Sequence, residues 1–466
     1  MFPKRLLILS LMSAFISTTG VAGWNQANQA FQSNAGNKEK RILLELVDEG
    51  YYFSALPLMK EHLTTSSRDL DLAMERALSK IIATVGVKQF ETLPSRYLAR
   101  SSSQNMRYIN AKKLMREQKY ADAIRLLKGI RKNHPISPYA YNMLGSIYSI
   151  EKSYANASVA FRDCIGVSNA RINVNRSDRL KLNRDYCLAG LARNKFGAAD
   201  YNDSDLLYLD IPKSSPVWPE ILFEEAWNSY YQKNYNRSLG KLVTYKAPVF
   251  EHVFNPEIEV LNALTYLRLC LYQDARNISD DFYAKYIDDA KKLRAYLRKY
   301  RTNYDFYYDL VSRYEQSRYA PSELMATLFK SISREQVYED MKSQLKGAIY
   351  EYRRIKGQRD NRFKRYVIQN LQEAIGAQKT ILGSFIRSKL TSHYAQLFRA
   401  FEGMSYIKLE VLAQKKAKLY SFEKDNRSRG DIKYIQRNEK QYFWDFNGEF
   451  WADELGDYVF ALKSEC

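Results

Sequence analysis

Glycine and proline are scarce in this chain, at 19 and 11 of 466 residues. An all-β protein needs frequent turns, so the scarcity argues against one and favours long helices joined by short loops. There are only four histidines, His62, His134, His252 and His393, and none pairs with another at metal-ligand spacing. The sequence has no H-E-x-x-H, no C-x-x-C and no zinc-ribbon spacing. It also lacks a G-x-S-x-G elbow and a glycine-rich phosphate loop. Asp203, Asp205 and Asp210 fall close together but without the glycine and closing glutamate of a calcium loop, so they read as a solvated turn. The pairs Asp280-Asp281 and Asp288-Asp289 read as helix-surface carboxylates balanced by nearby lysines. No catalytic residue, metal or cofactor is expected, and the chain reads as non-enzymatic. Beyond the N-terminus no stretch is long and apolar enough to cross a bilayer.

What the sequence does have is tyrosine and positive charge. Its 37 Tyr make tyrosine the main aromatic, a ring that packs between helices while its hydroxyl reaches water. The hydrophobic fraction of 45% is enough for a sizeable core. The formal charge of +20 favours anionic partners such as lipid headgroups, envelope polymers or acidic proteins. The N-terminus narrows that choice. Lys4 and Arg5 precede an apolar run from Leu6 to Ile16, then small and polar residues ending in Ala22-Gly23. This order predicts a secretory signal over residues 1–23, and hence an exported, periplasmic or envelope-associated protein. Export removes nucleic acid from the expected partners. It also places the four cysteines where disulfides form, and Cys164–Cys187 with Cys270–Cys466 is the favoured pairing of the three possible.

Two consecutive segments match at a spacing of 34 residues. Ala111, Leu114, Tyr120, Ala123 and Leu127 of the first answer to Gly145, Tyr148, Tyr154, Ala157 and Phe161 of the second. Small residues on both helices of a hairpin let the helices approach, and large ones fill the space around that contact. Pro135 is expected to end the second helix of the first unit. The pattern resembles the tetratricopeptide repeat. Looser copies follow at Trp218–Pro248 with Ala226 and Tyr235, and from Pro256 with Ala263, Tyr272 and Ala275. A degenerate unit centres on Phe196 and Ala199, and another near the start holds Tyr52, Ala55 and Met59. The segment from Val217 to Ala275 and the string Asp445–Gly456 are similar to exported envelope tetratricopeptide proteins of gliding and predatory bacteria. That resemblance implies a scaffold in an envelope assembly, in motility or surface machinery, with no catalytic motif. It also implies that the first helix of each unit lines a groove. Here the groove residues are Tyr108, Lys112, Arg116, Tyr139, Asn142, Ser146, Phe223, Trp227, Tyr230 and Tyr231.

The expected fold is therefore all-α: a helical-hairpin solenoid over 104–300 after an N-terminal helical region, 24–103. Long amphipathic helices follow over 301–424, then a linker and aromatic-rich tail over 425–466. Within the long-helix region, Gly357–Asn361 reads as a turn, and Arg353, Arg354, Lys356, Arg359, Arg362, Lys364 and Arg365 crowd around it as an anion-binding candidate. Lys415, Lys416 and Lys418 form a second basic group. The tail, with Trp444, Phe446, Phe450, Trp451, Tyr458 and Phe460, either docks on the helical body or serves as a partner-binding peptide. Two functions remain open at this point. One is an adaptor that holds an envelope protein in its groove; the other is binding of an anionic polymer or membrane through the basic helices.

Overall fold

The computed structural model describes residues 19–33, 36–175, 177–418 and 431–466. The expected signal peptide and the Asn426–Asp431 linker therefore lie wholly or mostly outside the described residues. So do the side chains of Lys415, Lys416 and Lys418. In order, the helices are α1 Thr19–Gln32, α2 Lys38–Asp48, α3 Tyr52–Thr65, α4 Leu72–Val85, α5 Ser95–Leu98 and α6 Gln104–Arg116. Then come α7 Tyr120–Lys128, α8 Ser137–Ile150, α9 Tyr154–Asn175, α10 Asp178–Gly197, α11 Tyr201–Tyr208, α12 Trp218–Tyr231 and α13 Tyr235–Val243. The last are α14 Glu257–Arg268, α15 Tyr272–Tyr300, α16 Tyr304–Ser317, α17 Glu323–Arg334, α18 Gln336–Lys356 and α19 Arg362–Lys418. The only strands among the described residues are β1 Trp444–Asp445 and β2 Tyr458–Val459, paired in parallel. The chain is predominantly helical, as its glycine and proline content predicts.

One local device recurs six times among the described residues. The pairs α2–α3, α6–α7, α8–α9, α10–α11, α12–α13 and α14–α15 are each joined by three residues. The middle residue of each linker is left-handed: Gly50 (φ 78°), Gln118 (60°), Lys152 (57°), Ala199 (61°), Lys233 (63°) and Cys270 (59°). The next residue's N–H reaches back to a carbonyl five positions earlier, as in Lys119 to Leu114, Ser153 to Tyr148 and Asn234 to Ser229. This closure satisfies carbonyls that the end of a helix leaves open. A tyrosine then opens the second helix every time: Tyr52, Tyr120, Tyr154, Tyr201, Tyr235 and Tyr272. Three residues on, Ala55, Ala123, Ala157, Ser204, Ser238 and Ala275 are all 0% exposed. Seven residues before the left-handed position stand Ala111, Gly145, Ala192, Ala226 and Ala263, all buried, with Leu43 as the exception. At Gly145 a Cβ would lie 2.7 Å from the Phe161 ring, which fills the space the glycine vacates.

In the α10–α11 hairpin Ala199 is the left-handed turn residue, and Ser204 donates to the Ala192 carbonyl (3.0 Å) where the two helices meet. Pro135 does not end α7, which stops at Lys128 before Gly129.

The described residues form two compact units, one within 1–109 and 344–377 and the other within 110–343 and 378–466. The region 301–424 is thus divided between them instead of forming a bundle of its own. In the first unit, Ala348, Ile355, Phe363, Val367 and Leu371 join Trp24, Leu46, Phe53, Met59 and Leu78 in one core. Burial, first, raises the Glu351 carboxyl above its ordinary range, although it accepts the N–H groups of Phe53 (3.0 Å) and Ser54 (2.7 Å) at the start of α3.

In the second unit, disulfides join Cys164 to Cys187 and Cys270 to Cys466. The C-terminal segment lies along α13. Asn236 holds both backbone groups of Leu462, donating through Nδ2 to its carbonyl (3.0 Å) and accepting its N–H at Oδ1 (3.0 Å). The Phe460 N–H donates to the Asn236 carbonyl (3.1 Å) and the Gly456 N–H to Thr244 Oγ1 (3.1 Å). Of the two fates open to this tail, docking is the one observed. Trp451 (56% exposed) and Tyr442 (70%) nevertheless stay in solvent.

Candidate binding surface

The expected groove residues lie on α6, α8 and α12. Tyr108, Lys112 and Arg116 follow one another at helical spacing on α6, and none of the three lacks an interaction partner. On α8, Asn142 donates to Asn183 Oδ1 of α10 (3.1 Å) and Ser146 bonds back to the Asn142 carbonyl (3.0 Å). Tyr139 is half-buried, and burial raises its phenol pKa. α10 packs against α8 here, and its Asn183 uses part of the face expected to line a groove.

The four α12 residues do cluster. Phe223, Trp227 and Tyr230 pack against Ala226, Leu242, Ile258 and Leu261. Tyr231 stacks on Tyr201 at 5.4 Å and is half exposed, and Phe196 meets both rings edge-on. Arg268 donates to the Tyr230 hydroxyl (2.9 Å).

This cluster adjoins a cleft that the sequence reading missed. Leu242 and Ile258 belong to both. The cleft has a volume of about 560 Å³ and is walled by Tyr245, Phe250, Phe254, Tyr286 and Tyr314. Its polar groups come from α14 (Glu259, Asn262), α15 (Lys285, Asp289), α17 (Glu323, Lys330) and the link before α14 (Lys246, Glu251). Some of these are spent on structure. The Leu324 N–H (3.2 Å) and Lys292 (3.1 Å) bond Asp289; against a burial that acts the other way, they hold its carboxyl below the usual range. Lys330 pairs with Glu251 (3.0 Å). Tyr245 donates to the Pro219 carbonyl, and burial pushes its phenol pKa well up. Lys246, Glu259, Asn262 and Glu323 have no hydrogen-bond or ion-pair partner among the described residues. The cleft thus offers aromatic walls, two free carboxylates, an amide and an ammonium. That set suits a peptide segment better than a purely anionic or purely apolar ligand.

His393 stands beside this wall, edge-on to Phe254 at 5.3 Å, with Nδ1 3.1 Å from Gln396 Oε1. Burial lowers its pKa, as it does for His62, His134 and His252. A histidine kept neutral by the fold binds its proton more readily when unfolded, so stability is lost as pH falls below about 6.5. His393→Phe is expected to lose less stability than wild type between pH 7.5 and 5.5. The difference should be less than about 1.4 kcal/mol per pH unit, read from urea unfolding midpoints. Parallel pH profiles would contradict the burial argument.

Two buried charge pairs also escaped the sequence reading. Asp205, expected in a solvated turn, sits on α11 at 5% exposure. It accepts from Arg237 Nη2 at 3.1 and 2.8 Å and from Gln441 Nε2 of the tail at 2.9 Å. Lys241 and Glu225 lie 3.1 Å apart, both buried, and burial raises the Glu225 pKa despite Lys241.

Among the described residues, no three or more His, Cys, Asp and Glu side chains are grouped to hold a metal ion. No described helix is long and apolar enough to cross a membrane. Compared with protein-family models and with curated proteins, the sequence gives no match.

Proposed function

We propose that this chain is an exported scaffold of tetratricopeptide type that holds a segment of a partner protein in the cleft beside α14, within an envelope assembly. It acts by binding and catalyses no reaction. The observation that carries the reading is the cleft itself: Glu259 and Asn262 project from the first helix of a hairpin into an aromatic-walled space with no partner for their polar groups. Left unmatched in water, such groups cost nothing; matched to the amides of a docked segment they give orientation and selectivity. The six repeated hairpin turns, each with tyrosine and a small residue in phase, support the repeat type. The two disulfides suit an oxidising compartment.

A photo-crosslinking residue in place of Asn262 tests the proposal in cells that make the full chain. A discrete protein adduct is expected from that position. It should be lost when Glu259→Lys is added, and absent when the probe replaces exposed Glu151 on the α8–α9 turn. Equal adducts from both positions, or none from Asn262, would refute the cleft as the binding site.

A further inference from the structure

The first unit carries a feature that the cleft does not use. Five basic side chains surround the turn between α18 and α19: Arg353 and Lys356 in the last turn of α18, Arg359 in the loop, and Arg362 and Arg365 in the first turn of α19. All five are exposed. Ile355, Phe363 and Val367, each 0% exposed, point into the core of the unit and so fix the basic side chains on the outer face. The other two members of the expected cluster have structural work. Arg354 lies over the Tyr51 ring at 4.4 Å, and Lys364 donates to the carbonyls of Lys356 (2.8 Å) and Gln358 (2.7 Å), closing the turn.

The five outward cations have no carboxylate partner among the described residues. Asp360 is the only acidic residue between Glu351 and Glu373. Other cations of the same unit do carry carboxylate partners, as Lys80 with Asp48 (2.8 Å) and Lys40 with Asp71. Helix stabilisation does not account for the group. A cation suits the end of α18, but Arg362 and Arg365 stand at the start of α19, where the helix dipole opposes them. Four of the five are arginines, whose planar fork matches a phosphate through two parallel hydrogen bonds. One turn before Arg353, Tyr350 is 66% exposed. A tyrosine beside outward arginines is the composition that settles at the headgroup level of a bilayer.

From these observations we propose that the α18–α19 turn docks on an anionic phospholipid surface, with the guanidinium groups on headgroup phosphates and the Tyr350 ring at the interface. This goes beyond the cleft and does not depend on it.

Vesicle flotation with the purified mature chain tests the proposal. The chain should float with vesicles of equal parts phosphatidylglycerol and phosphatidylcholine, and stay behind with phosphatidylcholine alone. Each phosphate contact by a basic residue near an anionic surface is worth about fivefold in partitioning, so Arg353→Gln, Arg359→Gln, Arg362→Gln and Arg365→Gln together should cut flotation at least tenfold. Tyr350→Ala should cut it a few-fold at unchanged salt dependence. Lys80→Gln, on the same unit, should leave it unchanged, and all variants should melt with wild type. Inorganic phosphate at matched ionic strength should not compete, because a single phosphate meets one arginine where a bilayer meets all of them. The proposal is overturned by flotation that the quadruple variant retains, by equal binding to neutral vesicles, by competition from free phosphate, or by patch-dependent binding of double-stranded DNA as tight as that of the vesicles.

Discussion

Gly240→Ala is expected to lift the C-terminal segment off α13. A Cβ at position 240 would stand 1.6 Å from the Tyr458 carbonyl oxygen, 2.3 Å from its carbon and 2.8 Å from the Val459 Cα. All three are backbone atoms of β2, so no rotamer change relieves the clash; the strand must move away. It cannot move alone. Gly456 is tied to Thr244, and the Tyr458 hydroxyl accepts the Trp451 N–H (2.8 Å). Leu462 is held by Asn236, and Cys466 by its disulfide to Cys270. The segment should therefore bow outward between Gln441 and Phe460 while its end stays attached. The expected cost is about 3 kcal/mol, the upper part of the range for overpacking a tight contact. Hydrogen exchange at residues 456–462 should rise at least tenfold, and chymotrypsin should cut at Phe446, Phe450 or Tyr458 at concentrations that leave wild type intact. Unchanged exchange there would mean that the segment does not lie on α13.

Asp205→Ala should be among the most destabilising single substitutions in the second unit. Arg237 is 4% exposed and relies on both Asp205 oxygens, while Phe443 covers its other side at 5.6 Å. Without Asp205 the guanidinium is buried with no counter-charge, and Gln441 loses its acceptor as well. Breaking a buried pair from one side costs about 3–5 kcal/mol. Removing the other charge too should recover much of the loss, because the pair itself contributes less than the penalty of orphaning one member. Asp205→Ala with Arg237→Met is thus expected to be more stable than Asp205→Ala alone, by chemical unfolding. A double variant no better than the single one would show that Arg237 is solvated after all. The single variant should also loosen the tail, since Gln441 is the tail residue bonded to Asp205.

These two sites show where the sequence was legible and where it was not. The hairpins at 104–171 could be read because their signal is local: a small residue, a turn, a tyrosine and a second small residue within one short span. The α10–α11 hairpin reads as degenerate because serine stands at Ser204, as at Ser238, where the other four hairpins carry alanine. Asp205 looked solvated because Asp203 and Asp210 are its neighbours in sequence, whereas its partners Arg237 and Gln441 are far along the chain. The groove suffered from the same limit. Helical spacing places Asn142 on the expected face of α8, but it does not reveal that Asn183 of the next hairpin uses part of that face. The cleft draws its aromatic walls from the link between α13 and α14, from α15 and from α16, and its polar groups also from α14 and α17; no pattern within one helix announces such a meeting. The basic group at Arg353–Arg365 was visible as composition. Which two of its members the fold consumes, Arg354 and Lys364, is decided by Tyr51 and by the carbonyls that end α18.

The central claim is that a partner segment lies in the cleft beside α14. Hydrogen exchange of the full chain, free and bound to the protein captured through position 262, tests it most directly. Protection gained over Glu257–Arg268 and Glu323–Arg334, with none over Ser137–Ile150, is the expected result. Protection confined to other helices, with α14 and α17 exchanging as in the free chain, would contradict the account.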